Sequence, residues 1–283
     1  MKAKILPSKK QPAACAASLQ WFGWTDVGRV RKNNEDAFLG LRFDAQEVHR
    51  LGKFGEASVA KHNFTFAVCD GMGGAKAGEF ASNIAVEKIT ALLPRSFQKS
   101  GRGLQANFGN ILGELYGQIH RALVYLGSSY DECHGMQTTM SLCWFTPGWL
   151  YFGHVGDTRI YRLAKGENEL KQLTTDDTHV AWLLQNGKIK DYEARTHPRR
   201  NVLQKALGGE SHFIDPQVDA VKCGRGDFFL ICSDGLTEGL HNHQIVDLLR
   251  TKDKYFNPAK ALVESSVKND GRDNTTALVV KVV

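Results

Sequence analysis

The run Phe64-Thr65-Phe66-Ala67-Val68-Cys69-Asp70-Gly71-Met72-Gly73-Gly74 constrains this chain more than any other stretch. Its apolar part has the length and the aromatic and β-branched content of a buried strand. The run ends on a carboxylate, which is costly in a core unless something offsets its charge. A second run repeats the pattern, Asp227-Phe228-Phe229-Leu230-Ile231-Cys232-Ser233-Asp234-Gly235. Two buried strands that each deliver an Asp-Gly to one end of a core suggest a shared cation.

The surrounding pattern predicts an α+β fold. Strands are expected over Trp21–Val27 and Ala37–Phe43, with a hairpin loop over His49–His62. Two amphipathic helices follow. One carries Ala77, Phe80, Ala81, Ile84, Ala85, Ile89 and Leu92 and is closed by Pro94; the other carries Phe108, Ile111, Leu112, Leu115, Ile119, Leu123 and Leu126. Short strands punctuated by turn residues then form a meander: Thr138–Phe145, Trp149–Val155, Thr158–Leu163 and Glu169–Leu173. That spacing marks antiparallel pairing rather than βαβ units. Residues 174–209 are more polar, with a short helical pattern at Val180, Leu183 and Leu184 and a break at Pro198. Two helices, around Ile245–Leu249 and Ala259–Val267, precede a last strand, Thr275–Val283. The helical stripes need sheets to cover. The architecture expected is a four-layer α-β-β-α sandwich, two antiparallel sheets flanked by helix pairs. Residues 1–19 are read as a loose arm and 20–283 as one domain.

Composition narrows the function classes. Of 283 residues 42% are hydrophobic and 23% charged, and no apolar run reaches the roughly 20 residues of a membrane span. No apolar segment follows the basic N-terminus, so a secretory signal is not expected. The net charge of +6 comes with no nucleic-acid motif. Six cysteines include no C-x-x-C pair, and Cys69, Cys143 and Cys232 sit in apolar runs. They read as reduced core thiols of a cytosolic protein.

The acids at strand ends and tight turns are Asp36, Asp70, Asp157, Asp234 and Asp273. A single Asp-Gly is usually a turn cap. Five such acids, two of them closing near-identical apolar strands, favour hard cations held by oxygen, Mg²⁺ or Mn²⁺ rather than zinc. A carboxylate can bridge two such ions about 4 Å apart, and water between them becomes hydroxide near neutral pH. The glycines after Asp70 do not form a phosphate loop, because Lys76 breaks G-x-G-x-x-G and no G-K-[ST] follows. They let the backbone come close to an ion, so that the Gly71 carbonyl can act as a ligand. Arg31, beside these acids, suits bidentate capture of a phosphate.

In order, Arg31-x-x-x-Glu35-Asp36-Ala37, Asp70-Gly71-Met72-Gly73-Gly74, Thr138-Thr139, Gly156-Asp157-Thr158-Arg159, Ser233-Asp234-Gly235 and Asp273-Asn274 resemble the motif set of the metal-dependent protein phosphatases of type 2C, the PPM family, in its bacterial branch. The resemblance runs from about residue 21 to the C-terminus. It implies a protein Ser/Thr phosphatase with two core Mn²⁺ or Mg²⁺ ions and a third, weaker one. Asp70 would bridge the core pair, with the Gly71 carbonyl on one ion and Asp234 and Asp273 on the other. Glu35 and Asp36 would act through bound waters, Asp157 with Asp234 would hold the third ion, and Arg31 would hold the substrate phosphate. A metal-bridged hydroxide would attack phosphorus in line. Residues 174–209 would be the mobile flap that contacts substrate. The partners implied are phosphorylated proteins and a bacterial Ser/Thr kinase acting in opposition, with no nucleic acid or membrane, for a cytoplasmic monomer. One dedicated phosphoprotein substrate, such as an anti-sigma-factor antagonist, and a metal-binding scaffold without turnover are the alternatives.

The chain departs from the family pattern at three places. Met72 stands where eukaryotic relatives have His and cannot donate a proton. Gln137 replaces the Gly before the paired threonines. Asp176-Asp177-Thr178-His179 replaces the flap's Asp-His-Ser. His154 and His179 are read as structural.

Overall fold

A computed structural model describes residues 18–73, 76–100, 107–253 and 255–283. Gly74 and Cys15 therefore lie outside the described residues, as does nearly all of the expected arm. The remaining arm residues, Ser18 and Leu19, already belong to the first strand.

In chain order the elements begin with β1 (Ser18–Asp26), β2 (Asp36–Phe43), β3 (Val48–Arg50), β4 (Phe54–Ser58) and β5 (Asn63–Met72), then α1 (Ala77–Ser100) and α2 (Phe108–Ser129). The meander is β6 (Gln137–Thr138), β7 (Met140–Thr146), β8 (Trp149–Val155), β9 (Arg159–Leu163) and β10 (Leu170–Gln172). Next come α3 (His179–Gln185), α4 (Asp191–Thr196) and β11 (Leu207–Gly208). The chain continues through β12 (Gln217–Lys222), β13 (Phe228–Cys232), α5 (Asp234–Gly239), α6 (Asn242–Leu249), α7 (Pro258–Asn269) and β14 (Thr275–Val282).

Two antiparallel sheets form. One runs β10-β9-β13-β14-β1-β4; the other runs β11-β6-β5-β7-β8-β12, with β2 and β3 added beside β5. Three apolar layers separate the four structural ones. Phe64, Phe66, Val68, Phe145, Phe229 and Ile231 fill the space between the sheets. Leu112, Leu115 and Ile119 of α2, with Ala81, Ala85 and Ile89 of α1, cover the outer face of the larger sheet. Leu236, Ile245, Leu262 and Val263 cover the smaller one. The α-β-β-α sandwich expected from the pattern is the one observed. β5 explains why: buried on both faces, it has to be apolar at successive positions rather than at alternate ones.

Several local expectations change. The stretch 49–62 is not a plain hairpin loop. β3 pairs with β2 in one sheet and β4 with β1 in the other, so the segment bridges the two. Both strands are short and mostly exposed, which hides them from a hydrophobicity pattern. Gly55 is required there, because a Cβ would lie 2.3 Å from the Trp21 ring. Pro94 does not close α1, which continues to Ser100. Phe97 explains the extension: beyond the proline its ring packs edge-on against Phe43 and Trp144. The strand expected over Thr138–Phe145 is interrupted at Thr139. β12, half-buried along its length, had no clear alternation to mark it.

Phe66 is fully buried and makes edge or tilted contacts with Trp21 and Phe145 between the sheets. Phe66→Ala is expected to cost about 3–5 kcal/mol of stability. Urea unfolding checks this, and a loss below about 1 kcal/mol would contradict the inter-sheet core described.

Candidate active site

Both sheets send acids to the same end of the sandwich. Asp36 opens β2 and faces Asp70, near the end of β5, in the antiparallel register. Asp273 directly precedes Asn274 and β14, and Asp234 follows β13 after one residue. Asp157 sits in the crossover from β8 in one sheet to β9 in the other. Asp70 and Asp234 are not matched strand ends, as the sequence pattern suggested. Asp70 lies within β5, which runs on to Met72, whereas Asp234 is the first residue of helix α5.

Backbone contacts fix each acid. The Asp70 carbonyl accepts from the Thr139 amide at 2.8 Å and from the Thr138 hydroxyl at 2.9 Å, and the Asp70 amide donates to the Thr139 hydroxyl at 3.0 Å. The paired threonines thus clamp the backbone that carries Asp70. Gly156, at φ +106°, packs so closely on Thr139 that a Cβ would sit 2.5 Å from its methyl carbon, which ties the Asp157 turn to the same clamp. Gly71 has no room for a side chain either, since a Cβ would come 2.0 Å from the Gly78 carbonyl oxygen. Asn274 organises the loop before β2. Its side chain accepts from the Glu35 amide at 2.8 Å and donates to the carbonyls of Val27 and Asn33, both at 3.0 Å.

The electrostatics are those of crowded carboxylates. Burial first, and then the Asp36, Asp234, Asp157 and Asp273 charges, hold the Asp70 carboxyl well above its ordinary range. Asp234 is raised the same way, by burial and then by Asp157 and Asp273. Asp36 is pushed up to about 6 chiefly by burial, against the Thr276 and Ser233 hydroxyls that favour its charge. Asp157 is pushed up to about 7 by burial and Asp176. Glu35 is raised by burial. Arg31 is the nearby cation: its Nη2 donates to Asp273 Oδ2 at 2.7 Å, and about half of its side chain stays exposed.

The donor set fits divalent cations. Every candidate ligand atom is oxygen, as hard cations require. Asp36 Oδ2 accepts from the Ser233 hydroxyl at 2.7 Å, but its Oδ1 is buried with no hydrogen-bond partner. A buried, unpartnered carboxylate oxygen beside other carboxylates calls for a cation or a cation-bound water. The acids do not converge on a single point. Among the described residues, the trio whose ligand atoms all lie within 4.8 Å is Asp44, Glu47 and His62, at the far end of the β2–β5 pair.

A cavity of about 670 Å³ opens on Asp157 and Asp234. Its roof is the 174–201 segment with α3 and α4, and its opposite wall is Thr237 and Glu238 of α5 with Arg272. Arg159 anchors the start of the roof through Asp176, with Nη2 to Oδ2 at 2.6 Å and Nε to both oxygens at 3.0 Å. His154 is buried in the core, with Nδ1 2.9 Å from the Ser141 hydroxyl. The positioning roles of Ser233, Asn274 and the two threonines are not legible in the chain, although all four lie inside the motifs named above. Their hydrogen bonds join residues 68–247 positions apart, which no local pattern signals.

A family model described as Protein phosphatase 2C matches residues 53–269. Arg31, Glu35, Asp36 and Asp273 fall outside that match. The chain is 31% identical over 269 residues to the serine/threonine protein phosphatase PstP of Mycobacterium tuberculosis, covering 94% of this chain and 45% of that protein. It is 31% identical over 258 residues to the serine/threonine phosphatase stp of Listeria welshimeri, covering 91% of this chain and 93% of that one. A solved structure of the PstP catalytic domain in complex with two manganese ions superposes with a TM-score of 0.74 at 28% identity, over 94% of this chain and 99% of that one.

The raised carboxyls set a pH dependence. Asp36 and Asp157 ionise near 3.8 when unfolded and near 6 and 7 when folded, so between those values the unfolded chain binds fewer protons. Metal-free protein is therefore expected to lose stability as pH rises from about 4 to about 7, each tenfold change in proton affinity being worth about 1.4 kcal/mol. Thermal melting should fall by several degrees between pH 5 and pH 8 without divalent ions, and added Mn²⁺ should restore more of it at pH 8. A metal-free melting point independent of pH would contradict this reading.

Proposed function

Because this chain belongs to the protein phosphatase 2C family, we propose that it hydrolyses phosphoserine and phosphothreonine in proteins, using Mn²⁺ or Mg²⁺ held by Asp70, Asp234 and Asp273, with the Gly71 carbonyl, Glu35, Asp36 and Asp157 supporting them. The observation that carries this reading is the gathering of Asp36, Asp70, Asp157, Asp234 and Asp273 at one end of the sandwich, with Asp36 Oδ1 buried and unpartnered. Bound divalent ions supply a hydroxide nucleophile near neutral pH and offset charge on the phosphoryl oxygens.

The chain's own residues do the positioning. Thr138 and Thr139 hold the Asp70 backbone, Ser233 holds one oxygen of Asp36, and Arg31 holds Asp273. The guanidinium carries five N–H donors, so pairing with Asp273 leaves several for two oxygens of a substrate phosphate. Position 72 offers no proton to the leaving Ser or Thr oxygen, because it is Met. That proton has to arrive from water.

The wider assignment follows the same reading. Residues 20–283 act as one catalytic unit, with 174–209 as a flap over the cavity. The substrates are phosphorylated proteins, the enzyme opposes a Ser/Thr kinase, and it works as a cytoplasmic monomer. Among the described residues no helix is long and apolar enough to cross a membrane.

Hydrolysis of p-nitrophenyl phosphate and of a phosphothreonine peptide should require Mn²⁺ or Mg²⁺ and stop with EDTA. Asp70→Asn and Asp234→Asn should each lower kcat at least about 100-fold in folded protein. Asp157→Ala should lower kcat while two ions still bind by calorimetry. Arg31→Ala should raise KM for the peptide. Near-normal turnover in Asp70→Asn or Asp234→Asn, or activity in EDTA, would reject the assignment.

A further inference from the structure

Glu238 lies one helical turn after Asp234 on α5, on the face that lines the cavity. Its carboxylate is mostly buried, and three groups from two other segments surround it. Arg200 Nε and Asn201 Nδ2 each donate to Oε1 at 3.3 Å, and Arg272 Nη2 stands 3.9 Å from Oε2. All three distances exceed the 2.7–2.9 Å of a well-formed charge-assisted bond. Arg200 and Asn201 belong to the roof of the cavity, and Arg272 directly precedes Asp273. Two guanidiniums and an amide thus converge on an anion that they grip loosely, with Arg272 also held through Nε by Asp270 at 2.7 Å, in a cavity lined by Asp157 and Asp234 as well.

The segment that carries Arg200 and Asn201 is basic. Residues 186–205 hold six Lys or Arg against two acids, in a chain whose formal net charge is +6. An outside carboxylate placed between Arg200 and Arg272 would take over the donors that Glu238 now engages at long range, while Asp270 keeps its bond to Arg272 Nε at 2.7 Å.

We propose that Arg200, Asn201 and Arg272 form an anion subsite for an acidic side chain of the phosphoprotein substrate, and that Glu238 occupies it as a built-in competitor. The proposal rests on the phosphatase reading and adds to it a preference among substrates. Geometry sets the reach. One helical turn rises about 5.4 Å, and an extended peptide covers that in about two residues at about 3.3 Å each. The side chain selected is an Asp or Glu about two residues from the phosphorylated one. Glu238 makes the preference graded: a neutral flank leaves the native pair in place, and an acidic flank displaces it.

The test uses two phosphothreonine peptides that differ only in carrying Glu or Gln two residues to either side of the phosphothreonine, hydrolysed by the full chain with Mn²⁺. The readout is the ratio of kcat/KM for the Glu peptide over the Gln peptide, so changes in basal rate cancel. Wild type should favour Glu by about twofold to fivefold at low salt, the size of a partly exposed ion pair. E238Q should raise that ratio further. The double variant R200Q/R272Q should bring it to about one. K188Q, which removes one charge from the same segment at an exposed position outside the cavity lining, should keep the wild-type ratio. One shared ratio for wild type, E238Q and the double variant would overturn the proposal, and so would an equal fall in K188Q, which would assign the effect to bulk charge. If neither peptide turns over with Mn²⁺, the phosphatase reading fails and takes the proposal with it; turnover without a difference in ratio rejects the subsite alone.

Discussion

Carboxylates crowded where two sheets meet govern the rest of this molecule. Asp36 and Asp70 come from one sheet, Asp234 and Asp273 from residues that flank strands of the other, and Asp157 from the crossover between them. Desolvation and mutual repulsion push several of them toward their protonated forms. A fold that had only to be stable would not gather acids this way, since apolar side chains of similar volume would pack there at less cost. The surrounding hydrogen bonds hold the backbones in place but leave the charge uncompensated, and one buried oxygen of Asp36 lacks any partner. Divalent cations meet both requirements at once.

The sandwich is built to deliver this arrangement. β2 and β5 run antiparallel, so their register places Asp36 opposite Asp70 while their other ends lie about 20 Å away, at roughly 3.3 Å per residue. Bulky rings between the sheets, among them Phe64, Phe66, Phe145 and Phe229, keep the two halves from sliding relative to each other. Threonines and an asparagine convert that rigidity into fixed side-chain origins. Across the cavity, the roof segment is secured at its start by the bidentate Arg159–Asp176 pair and more loosely at Arg200–Glu238.

Much of this is legible in the amino-acid sequence, and the reasons differ by element. Asp70 is visible because an acid closing an apolar run is costly without a compensating charge. The α2 stripe is visible because a regular helix buries residues at three-four spacing along its 22 residues. Short exposed strands such as β3 and β4 are not, because their pairing is chosen by partners distant in the chain. Pro94 misleads because the aromatic contacts of Phe97 outweigh a local helix-breaking tendency. Asp234 reads as the end of a strand yet opens α5, because that helix is six residues long with Leu236 as its one apolar side chain and so shows no periodic stripe. Ser233, Asn274 and Glu238 gain their roles only where distant segments meet.

If the acids at this seam are spaced for cations, a crystal soaked in manganese should show it in an anomalous-difference map. Peaks are predicted about 2 Å from the carboxylate oxygens of Asp70 and of Asp234 or Asp273. Bare density there, with manganese bound only at Asp44, Glu47 and His62 on the far end of the sheet, would contradict the cation-holding role of the whole cluster.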